Sequence, residues 1–538
     1  MIRQWQNYPE GIENTLIVAE RCEFRLGLLK PELPQINLQA ARDCLARDDL
    51  DSLGQPVCDD KNRSDYVIHA QPGTGVHAQP EPCVRTEPEH NFSFLKESGE
   101  SRNEILKALT WKGAKERYGE PLKESQLRQL HHELDLITRL DLAPYFLIMW
   151  DIIRFAASQG IAVQGRGSAA NSAVCYCLKI TAVDPIAMDL LFERFISEDR
   201  HEPPDIDLDI AHQEREKVLQ YVYEKYGREH AAMVCEHITY RGPSAVRDAA
   251  RVFDFSPEQQ DKLSAQAHHH EADSAAQALA DGGAAAAGLD PRDRKVQLLI
   301  QVVHGLYQLP RHRSIHVGGF VLSGEPIGSI VPVEPASMPG RTVIQWDKDD
   351  LDLAGLIKID LLGLGMLTLI QEGLKLIQQH RGITIDLAKL DMDDQQIYGM
   401  MQRADTMGVF QIESRAQMSI LPKIRPRCFY DVVVSIAIVR PGPIQGNIVH
   451  PYLRRRRGLE EVTYLHPTIE PILKRTLGVP LFQEQGMKLA VVAAGFTPSQ
   501  ADQLRRVMSH KRSVERMAKV CVQLADGMRA NGLSEEAI

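Results

Sequence analysis

Three aspartates alternate with apolar residues in the segment EPPDIDLDI, which runs from Glu202 to Ile210. Asp205, Asp207 and Asp209 occupy every second position. In a β-strand, residues two positions apart share one face, so neighbouring carboxylates would lie about 6.5–7 Å apart. Such a face is repulsive by itself, and bound divalent cations would offset the repulsion. The segment therefore predicts a strand that binds metal, and Mg²⁺ is expected because it prefers oxygen ligands and keeps positions open for substrate phosphates.

This segment also has three alternative interpretations. An EF-hand loop would place acids at its positions 1, 3, 5 and 12, but Ile210 stands at position 6, where that loop needs glycine. Two prolines also replace the helix that should enter such a loop. An acidic edge strand facing solvent would need no metal. A glycosidase carboxylate pair would need sugar chemistry, which no other segment indicates.

A second acid stands in an apolar context. In GLIKIDLLGLGML, Lys358 and Asp360 interrupt a run of Leu, Ile and Gly. Burying such charges is costly unless each has a partner, which would be either a structural ion pair or a metal. Asp360 would supply a third carboxylate to a site for two Mg²⁺ ions. Two ions about 3.5–4 Å apart stabilise both the attacking and the leaving oxygen in phosphoryl transfer.

The segment VQGRGSAANS, residues 163–172, has the composition of a phosphate-binding loop. Gly165 and Gly167 permit close backbone approach, and Arg166 adds positive charge. Ser168 is expected near the N-cap of the following helix, where free N–H groups and the helix dipole favour a phosphate. The motif is neither a Walker A loop nor GxGxxG, so an ordinary capped turn is the alternative. A phosphate loop followed by an acidic strand suits nucleotidyl transfer.

The net charge of −10 argues against a polyanionic partner, but the charges are unevenly distributed. Residues 421–538 hold 18 Lys and Arg against 10 Asp and Glu, so this block carries +8 and the remainder −18. Clusters such as RRRR and LRRVMSHKR can neutralise phosphates of DNA or of a nucleotide. For any single arginine among them, solvated surface is the favoured interpretation, whereas the group as a whole favours phosphate binding.

The remaining composition predicts a cytoplasmic protein. No apolar run reaches about 18 residues, and the N-terminus lacks the apolar stretch of a signal peptide. The nine cysteines show no CxxC spacing, which favours free thiols in a reducing compartment. Amphipathic patterns predict helices from about residue 101 and again after about 385, and residues 316–364 are strand-like. The predicted class is α+β.

Eight ordered motifs resemble the bacterial C-family DNA polymerases, the relatives of the DNA polymerase III alpha subunit. The residues of the first and last motifs are most similar to those of the error-prone, damage-inducible branch of that family. The resemblance covers about residues 100–538 and a short piece near the start. The motifs are VQGRGSAANSAVCYCLKITAVDP, LFERFISEDRHEPPDIDLDI, HVGGFVL, QWDKDD, GLIKIDLLGLGMLTL, GVFQIESRAQM, RPGP and LGVPLFQEQGMKLAVVAAGFTPSQADQLRRVM.

The resemblance implies roles for individual residues. Asp207, Asp209 and Asp360 match the catalytic carboxylates that bind metal, whereas Asp205 belongs to the motif without being a principal ligand. Gly167 and Ser168 match the pair that binds the triphosphate. Arg194, Lys358, Arg505 and Arg506 match family positions near the nucleotide or primer, and the charge of the loop adds Arg166 to the residues expected at the nucleotide. Arg440 also matches such a position and is expected at DNA, and the basic clusters add Arg454, Arg455 and Lys511 there.

The resemblance also implies a domain plan built on a polymerase-beta-like nucleotidyltransferase palm. The palm would comprise 101–238 and 316–365, an inserted helical thumb 239–315, and incomplete helical fingers 366–538. Residues 1–35 would be the end of an N-terminal PHP domain, and 36–100 a partly disordered linker. Compared with the family, the chain looks truncated at both ends.

The expected reaction is attack of a primer 3′-OH on a dNTP, with release of pyrophosphate. Primer–template DNA and dNTPs are the expected partners, at the nucleoid. A sliding clamp and accessory mutagenesis proteins are expected to bind through regions absent from this chain, and no membrane is involved. A catalytically inactive DNA-binding fragment and a calcium-binding regulatory module are the alternatives.

Overall fold

The computed structural model describes most of the chain from residue 99 onwards, together with short stretches before it. The described residues are 14–15, 17–18, 20–21, 33–34, 38–46, 99–196, 204–267, 271–351, 353–385, 387, 390–439, 449–509 and 514–538. The predicted linker, in its part from 51 to 98, and most of the predicted PHP remnant lie outside these residues.

The chain divides into two compact units, and each consists of several chain segments. The first unit comprises Met1–Gln35, Asp205–Leu208 and Arg215–Gly363. The second unit comprises Ile36–Pro204, Asp209–Glu214 and Leu364–Ile538.

In the described part of the chain, seven strands form a sheet in the order β1-β2-β7-β4-β3-β6-β5. Strand β4 pairs antiparallel with both β3 and β7, and β3 pairs parallel with β6. The strands are β1 (Val163–Arg166), β2 (Asp207–Ala211), β3 (Ala231–Thr239), β4 (Pro310–Leu322), β5 (Val333–Pro335), β6 (Thr342–Asp347) and β7 (Ile357–Leu364).

The helices of the first unit lie between its strands in the sequence. They are α6 (Arg215–Tyr226), α7 (Gly242–Val252), α8 (Pro257–Ala265), α9 (Ala272–Ala278), α10 (Ala284–Ala286) and α11 (Arg294–Gly305). The helices of the second unit are α1 (Gln39–Ala46), α2 (Gly99–Tyr118), α3 (Glu124–Arg139), α4 (Ala143–Ser158), α5 (Ala173–Cys177), α12 (Gly365–Arg381), α13 (Gln395–Gln402), α14 (Arg415–Ile424), α15 (Phe429–Val439), α16 (Val449–Arg456), α17 (Glu470–Leu473), α18 (Gln483–Ala494), α19 (Pro498–Ser509) and α20 (Val514–Ala530).

Two apolar cores support the first unit. Small and β-branched residues of the sheet, including Val234, Val321 and Ile344, are fully buried, and β-branched side chains suit a pleated surface. The helices α7–α11 bury a second core that is rich in alanine. The alanine-rich stretch between α9 and α11 is therefore packed structure, because small side chains let neighbouring helices approach closely.

The second unit is built around α4, which is apolar on nearly every face and largely buried. Phe146 of this helix is fully buried and meets Phe195 edge to face, with ring centroids 5.9 Å apart. Phe192 packs against Phe195 in turn, so the short helical turn that carries Arg194 is anchored on the core. Aromatic burial of this kind dominates core stability.

The mixture of sheet and helices confirms the predicted α+β class. The assignment of its parts to palm, thumb and fingers stays a prediction. Among the described residues, no helix is both long enough and apolar enough to cross a membrane.

Candidate active site

Three carboxylates of the first unit converge beside two strands, β2 and β7, that are neighbours in the sheet. Asp205 precedes β2, Asp207 is its first residue, and Asp360 lies in the middle of β7. One oxygen of each carboxylate lies within 4.8 Å of the others, a spacing that could hold a metal ion. The first residues of β2 alternate between partly exposed and buried positions, as expected from the alternation of acidic and apolar residues in the sequence.

Lys358 binds two of these carboxylates. Its Nζ lies 2.7 Å from Asp360 Oδ2 and 3.3 Å from Asp205 Oδ1. Burial by itself would lower the pKa of Lys358, but the two carboxylates outweigh burial and raise it. The ammonium group is therefore charged, and it neutralises part of the acidic cluster. The structural ion pair of Lys358 and Asp360, one of the two interpretations of their apolar segment, is present. It forms part of the acidic cluster.

Asp360 has one oxygen that no described residue satisfies. Oδ1 is buried and accepts no hydrogen bond within the described part of the chain. His316 Nδ1 lies 3.7 Å away, but that nitrogen already accepts a hydrogen bond from the backbone N–H of Gly319 at 2.7 Å. It therefore cannot donate to Asp360. A buried carboxylate oxygen beside a second electron-pair donor fits a divalent cation, because leaving it unpaired is costly.

Arg215 fixes the two strands that carry these groups. Its Nε donates to the carbonyl of Leu361 at 2.6 Å, and its Nη2 donates to the carbonyl of Val317 at 2.8 Å. These carbonyls directly follow Asp360 and His316 in the sequence. Burial lowers the pKa of Arg215, and so does the nearby Arg341 guanidinium. The two hydrogen bonds hold β4 and β7 in register beside the acidic cluster.

Two of the three predicted catalytic acids, Asp207 and Asp360, thus lie together, and Asp205 joins them. The third, Asp209, belongs to the second unit. There its carboxylate lies 3.0 Å from Nε of Arg166, at the end of β1. Asp209 is well buried, with a side chain 13 % exposed. The predicted loop arginine therefore pairs with a predicted catalytic acid.

The phosphate loop of the second unit differs in detail from its prediction. Gly165 lies in β1, and Gly167 opens a 3₁₀ turn, Gly167–Asn171, with a positive φ of 70°. The N-cap of α5 is Ser172, whose hydroxyl accepts from the N–H of Cys175. Ser168 lies within the turn, so its expected place near the N-cap is wrong. The reason is that the 3₁₀ turn takes up the residues between the glycines and the helix.

Close packing against the backbone of Ile180 leaves no room for a side chain at Gly165. Its N–H donates to the carbonyl of Ile180 at 2.7 Å, and an added Cβ would lie 2.4 Å from that oxygen. Gly165→Ala is therefore expected to lower the free energy of unfolding by about 1–3 kcal/mol, measured by urea denaturation.

The control for this change is Gly373→Ala in α12 of the same unit, where an added Cβ meets nothing within 4 Å. That substitution should leave stability equal or slightly higher, because alanine favours helix. Equal stability of the Gly165→Ala variant and wild type would contradict the close-packing argument.

Two further arginines expected at the nucleotide also pair with acids. Arg194 forms an ion pair with Glu484 at the start of α18. Arg505 Nε lies 2.8 Å from Asp502 within α19. Burial lowers the pKa of Arg194, and the nearby charge of Arg505 adds to the effect. The two guanidinium groups lie near each other, and each is already balanced by its own carboxylate.

The arginines expected at DNA have different environments. Arg454 is 63 % exposed and lies 3.4 Å from Glu460. Arg455 is only 15 % exposed, and it binds both Glu460 and the carbonyl of Leu477, so it holds a loop in place. Residues Arg440 and Lys511, and the side chain of Arg506, lie outside the described residues.

Comparison with known proteins identifies the family. The model of the bacterial DNA polymerase III alpha NTPase domain matches residues 104–363, and that of the DNA polymerase III alpha subunit finger domain matches residues 366–532. The chain belongs to the bacterial DNA polymerase III alpha family. The boundary between the two matches falls directly after β7, which carries Asp360.

Three curated relatives share the name "Error-prone DNA polymerase". The relative from Anaeromyxobacter dehalogenans (strain 2CP-C) is 47 % identical over 99 % of this chain and 49 % of its own length. The relative from Methylococcus capsulatus is 54 % identical over 80 % of this chain and 41 % of its own length. The one from Mycobacterium bovis is 51 % identical over 82 % of this chain and 39 % of its own. The chain thus spans about half or less of the length of each of these relatives.

The sequence assigns no role to three residues of the candidate site and its surroundings, which are His316, Arg215 and Glu133. His316 lies in the motif HVGGFVL, and Arg215 acts through backbone carbonyls. Glu133 gives a signal through its position. It follows Leu130 by three residues and precedes Ile137 by four, and both of those are fully buried. A glutamate on the apolar face of a helix requires a buried partner.

Proposed function

We propose that this chain contains the catalytic core of a DNA-directed DNA polymerase of the error-prone, translesion or DNA-repair type. It extends a primer 3′-OH with dNTPs and releases pyrophosphate. One observation carries the proposal: Asp207 and Asp360 converge with Asp205, and a buried oxygen of Asp360 has no partner among the described residues. The names of the relatives support the template-directed reaction.

In this proposal the acids hold two Mg²⁺ ions. The ions would polarise the phosphate, lower the pKa of the attacking hydroxyl and neutralise the leaving pyrophosphate. Asp207, Asp209 and Asp360 supply the carboxylates. Lys358 holds Asp205 and Asp360 together before the cations bind, and its ammonium group would then be available to a phosphate oxygen.

The triphosphate would bind the loop of the second unit. Gly167 permits the turn, the backbone N–H groups of the turn would bind the anion, and Ser168 would donate its hydroxyl. Arg166, Arg194, Arg505 and Arg506 supply positive charge to the same nucleotide.

The domain plan of the proposal assigns palm to 101–238 and 316–365, thumb to 239–315 and fingers to 366–538. Primer–template DNA would contact the basic C-terminal block, including Arg440, Arg454, Arg455 and Lys511. Binding to a sliding clamp and to accessory mutagenesis proteins, and location at the nucleoid, stay predictions.

A primer-extension assay on the purified 538-residue chain tests the function. We expect incorporation of dNTPs opposite a template in the presence of Mg²⁺ and none with EDTA, because the carboxylates bind substrate phosphates only through cations. Salt-sensitive binding of primer–template without incorporation would show a DNA-binding fragment instead. A calorimetric Ca²⁺ titration tests the calcium-binding alternative. Tight Ca²⁺ binding without incorporation of dNTPs would indicate a regulatory module.

A further inference from the structure

A fully buried carboxylate lies behind the phosphate loop, within the second unit. Glu133, in α3, has no exposed surface. Its Oε1 accepts from Gln129 Nε2 at 2.9 Å and from the N–H of Ala173 at 2.9 Å. Its Oε2 accepts from Ser172 Oγ at 2.7 Å and from the N–H of Val174 at 3.0 Å. A carboxylate offers about four lone-pair sites, so these hydrogen bonds use all of them.

The arrangement suits an ionised carboxylate. Burial raises the pKa of Glu133, while the N–H and O–H donors oppose this rise by stabilising the charge. Each oxygen accepts from a backbone N–H, which can only donate, and these donors stabilise the charged form of the carboxylate. The negative charge is therefore balanced by oriented dipoles of α5, including the positive end of that helix.

These hydrogen bonds occupy the start of α5. The N–H groups of Ala173 and Val174 bind Glu133, and that of Cys175 binds Ser172 Oγ at 3.1 Å. The anion-binding capacity of this short helix is consequently used by the protein itself. A triphosphate bound by the loop has to use the preceding turn, Gly167–Asn171.

The turn is held at both ends by buried groups. At its N-terminal side, Gly165 is fixed to the Ile180 carbonyl at 2.7 Å. At its C-terminal side, Ser172 donates to Glu133, and inside the turn Asn171 Nδ2 donates to the Ser168 carbonyl at 3.2 Å. Of these anchors, the Glu133 carboxylate is the one that carries charge.

We propose that Glu133 is a positioning residue for triphosphate binding, which fixes the C-terminal end of the Gly167–Asn171 turn before the nucleotide arrives. This inference rests on the proposed polymerase function. A turn held in place beforehand binds its ligand without a further ordering cost. Glu133 does not touch the nucleotide, so its effect is confined to the affinity and placement of the phosphates.

The test is Glu133→Gln, which keeps the shape and replaces one acceptor oxygen by an NH₂ group. That group would face a backbone N–H of α5, so one hydrogen bond becomes a donor–donor contact. We expect the KM for dNTP to rise on the order of tenfold to a hundredfold, with a smaller change in kcat. The Kd of inorganic triphosphate, measured by calorimetry with Mg²⁺, should rise by a similar factor. A merely structural defect would lower the active fraction and leave KM and Kd unchanged.

The matched control is Glu124→Gln, which removes an exposed carboxylate from the same helix and should leave both constants unchanged. If Glu133→Gln fails to fold, judged by circular dichroism, Ser172→Ala takes its place, since it keeps the charge and removes one donor. A folded variant with wild-type KM and Kd overturns the inference. Failure of the wild-type chain to bind triphosphate or to extend a primer contradicts the proposed function instead.

Discussion

Replacing Asp360 with asparagine is expected to abolish Mg²⁺-dependent primer extension, with a loss of about a thousandfold or more, or roughly 4 kcal/mol of transition-state stabilisation. The substitution keeps the size of the side chain but removes its charge. Oδ1 of Asp360 is the buried oxygen without a described partner, and Oδ2 binds Lys358. With asparagine, the site offers a cation one charge less, and Lys358 loses its nearest counter-ion. Single-turnover incorporation of one dNTP measures the effect.

Asp207→Asn is expected to give a loss of the same order, because Asp207 lies in the same cluster. Asp261→Asn is the control in the first unit, since Asp261 is an exposed acid paired with Arg247. It should extend primers at the wild-type rate. Extension by Asp360→Asn at a rate comparable to the control would remove this residue from the metal site.

The acidic strand could be anticipated because its signal is local. Alternation over five residues fixes which side chains share a face, whatever the strand pairs with. The spacing could not rank the three aspartates, because that ranking depends on what lies opposite each of them. Lys358 stands opposite Asp205, and Arg166 stands opposite Asp209. Both partners are distant in sequence, so only folding brings them to the strand.

The phosphate loop shows a second limit. Composition singled out the two glycines, and the structure packs Gly165 against the Ile180 carbonyl and gives Gly167 a positive φ. It could not place the helix start, since a serine at either 168 or 172 can cap a helix, and the choice depends on Glu133 from α3. Propensity sets the candidates for a cap, and tertiary contacts decide between them. Arg455 shows a similar limit. Its charge predicts a contact with DNA, and only the structure shows that its guanidinium binds the carbonyl of Leu477.

The family assignment rests on long ordered motifs and needs no geometry, so sequence could supply it. The roles of His316 and Arg215 needed the structure. His316 accepts a backbone hydrogen bond through the nitrogen that faces Asp360, and Arg215 spans two strands through their carbonyls. Backbone contacts of this kind leave no pattern in a single sequence.

Asparagine substitutions at positions 205 and 209 are expected to have very different effects. Asp209→Asn should reduce primer extension about a thousandfold if it supplies the third carboxylate to the metals. Asp205→Asn should cost less than about tenfold, because its side chain is 48 % exposed and ion pairs of exposed groups contribute little. Both variants keep side-chain size, so each serves as the control for the other. Rates measured over a range of Mg²⁺ concentrations separate weaker metal binding, which excess Mg²⁺ restores, from loss of the catalytic step.

The opposite result has an equally definite meaning. A large loss for Asp205→Asn with a small loss for Asp209→Asn would assign the third ligand to the cluster formed by Asp205, Asp207 and Asp360. Asp209 would then act on Arg166 alone, since their ion pair orients the guanidinium at the phosphate loop. In that case Asp209→Asn should raise the KM for dNTP and leave the Mg²⁺ dependence unchanged. A metal ligand would change both, so the two roles of Asp209 are separable in one set of titrations.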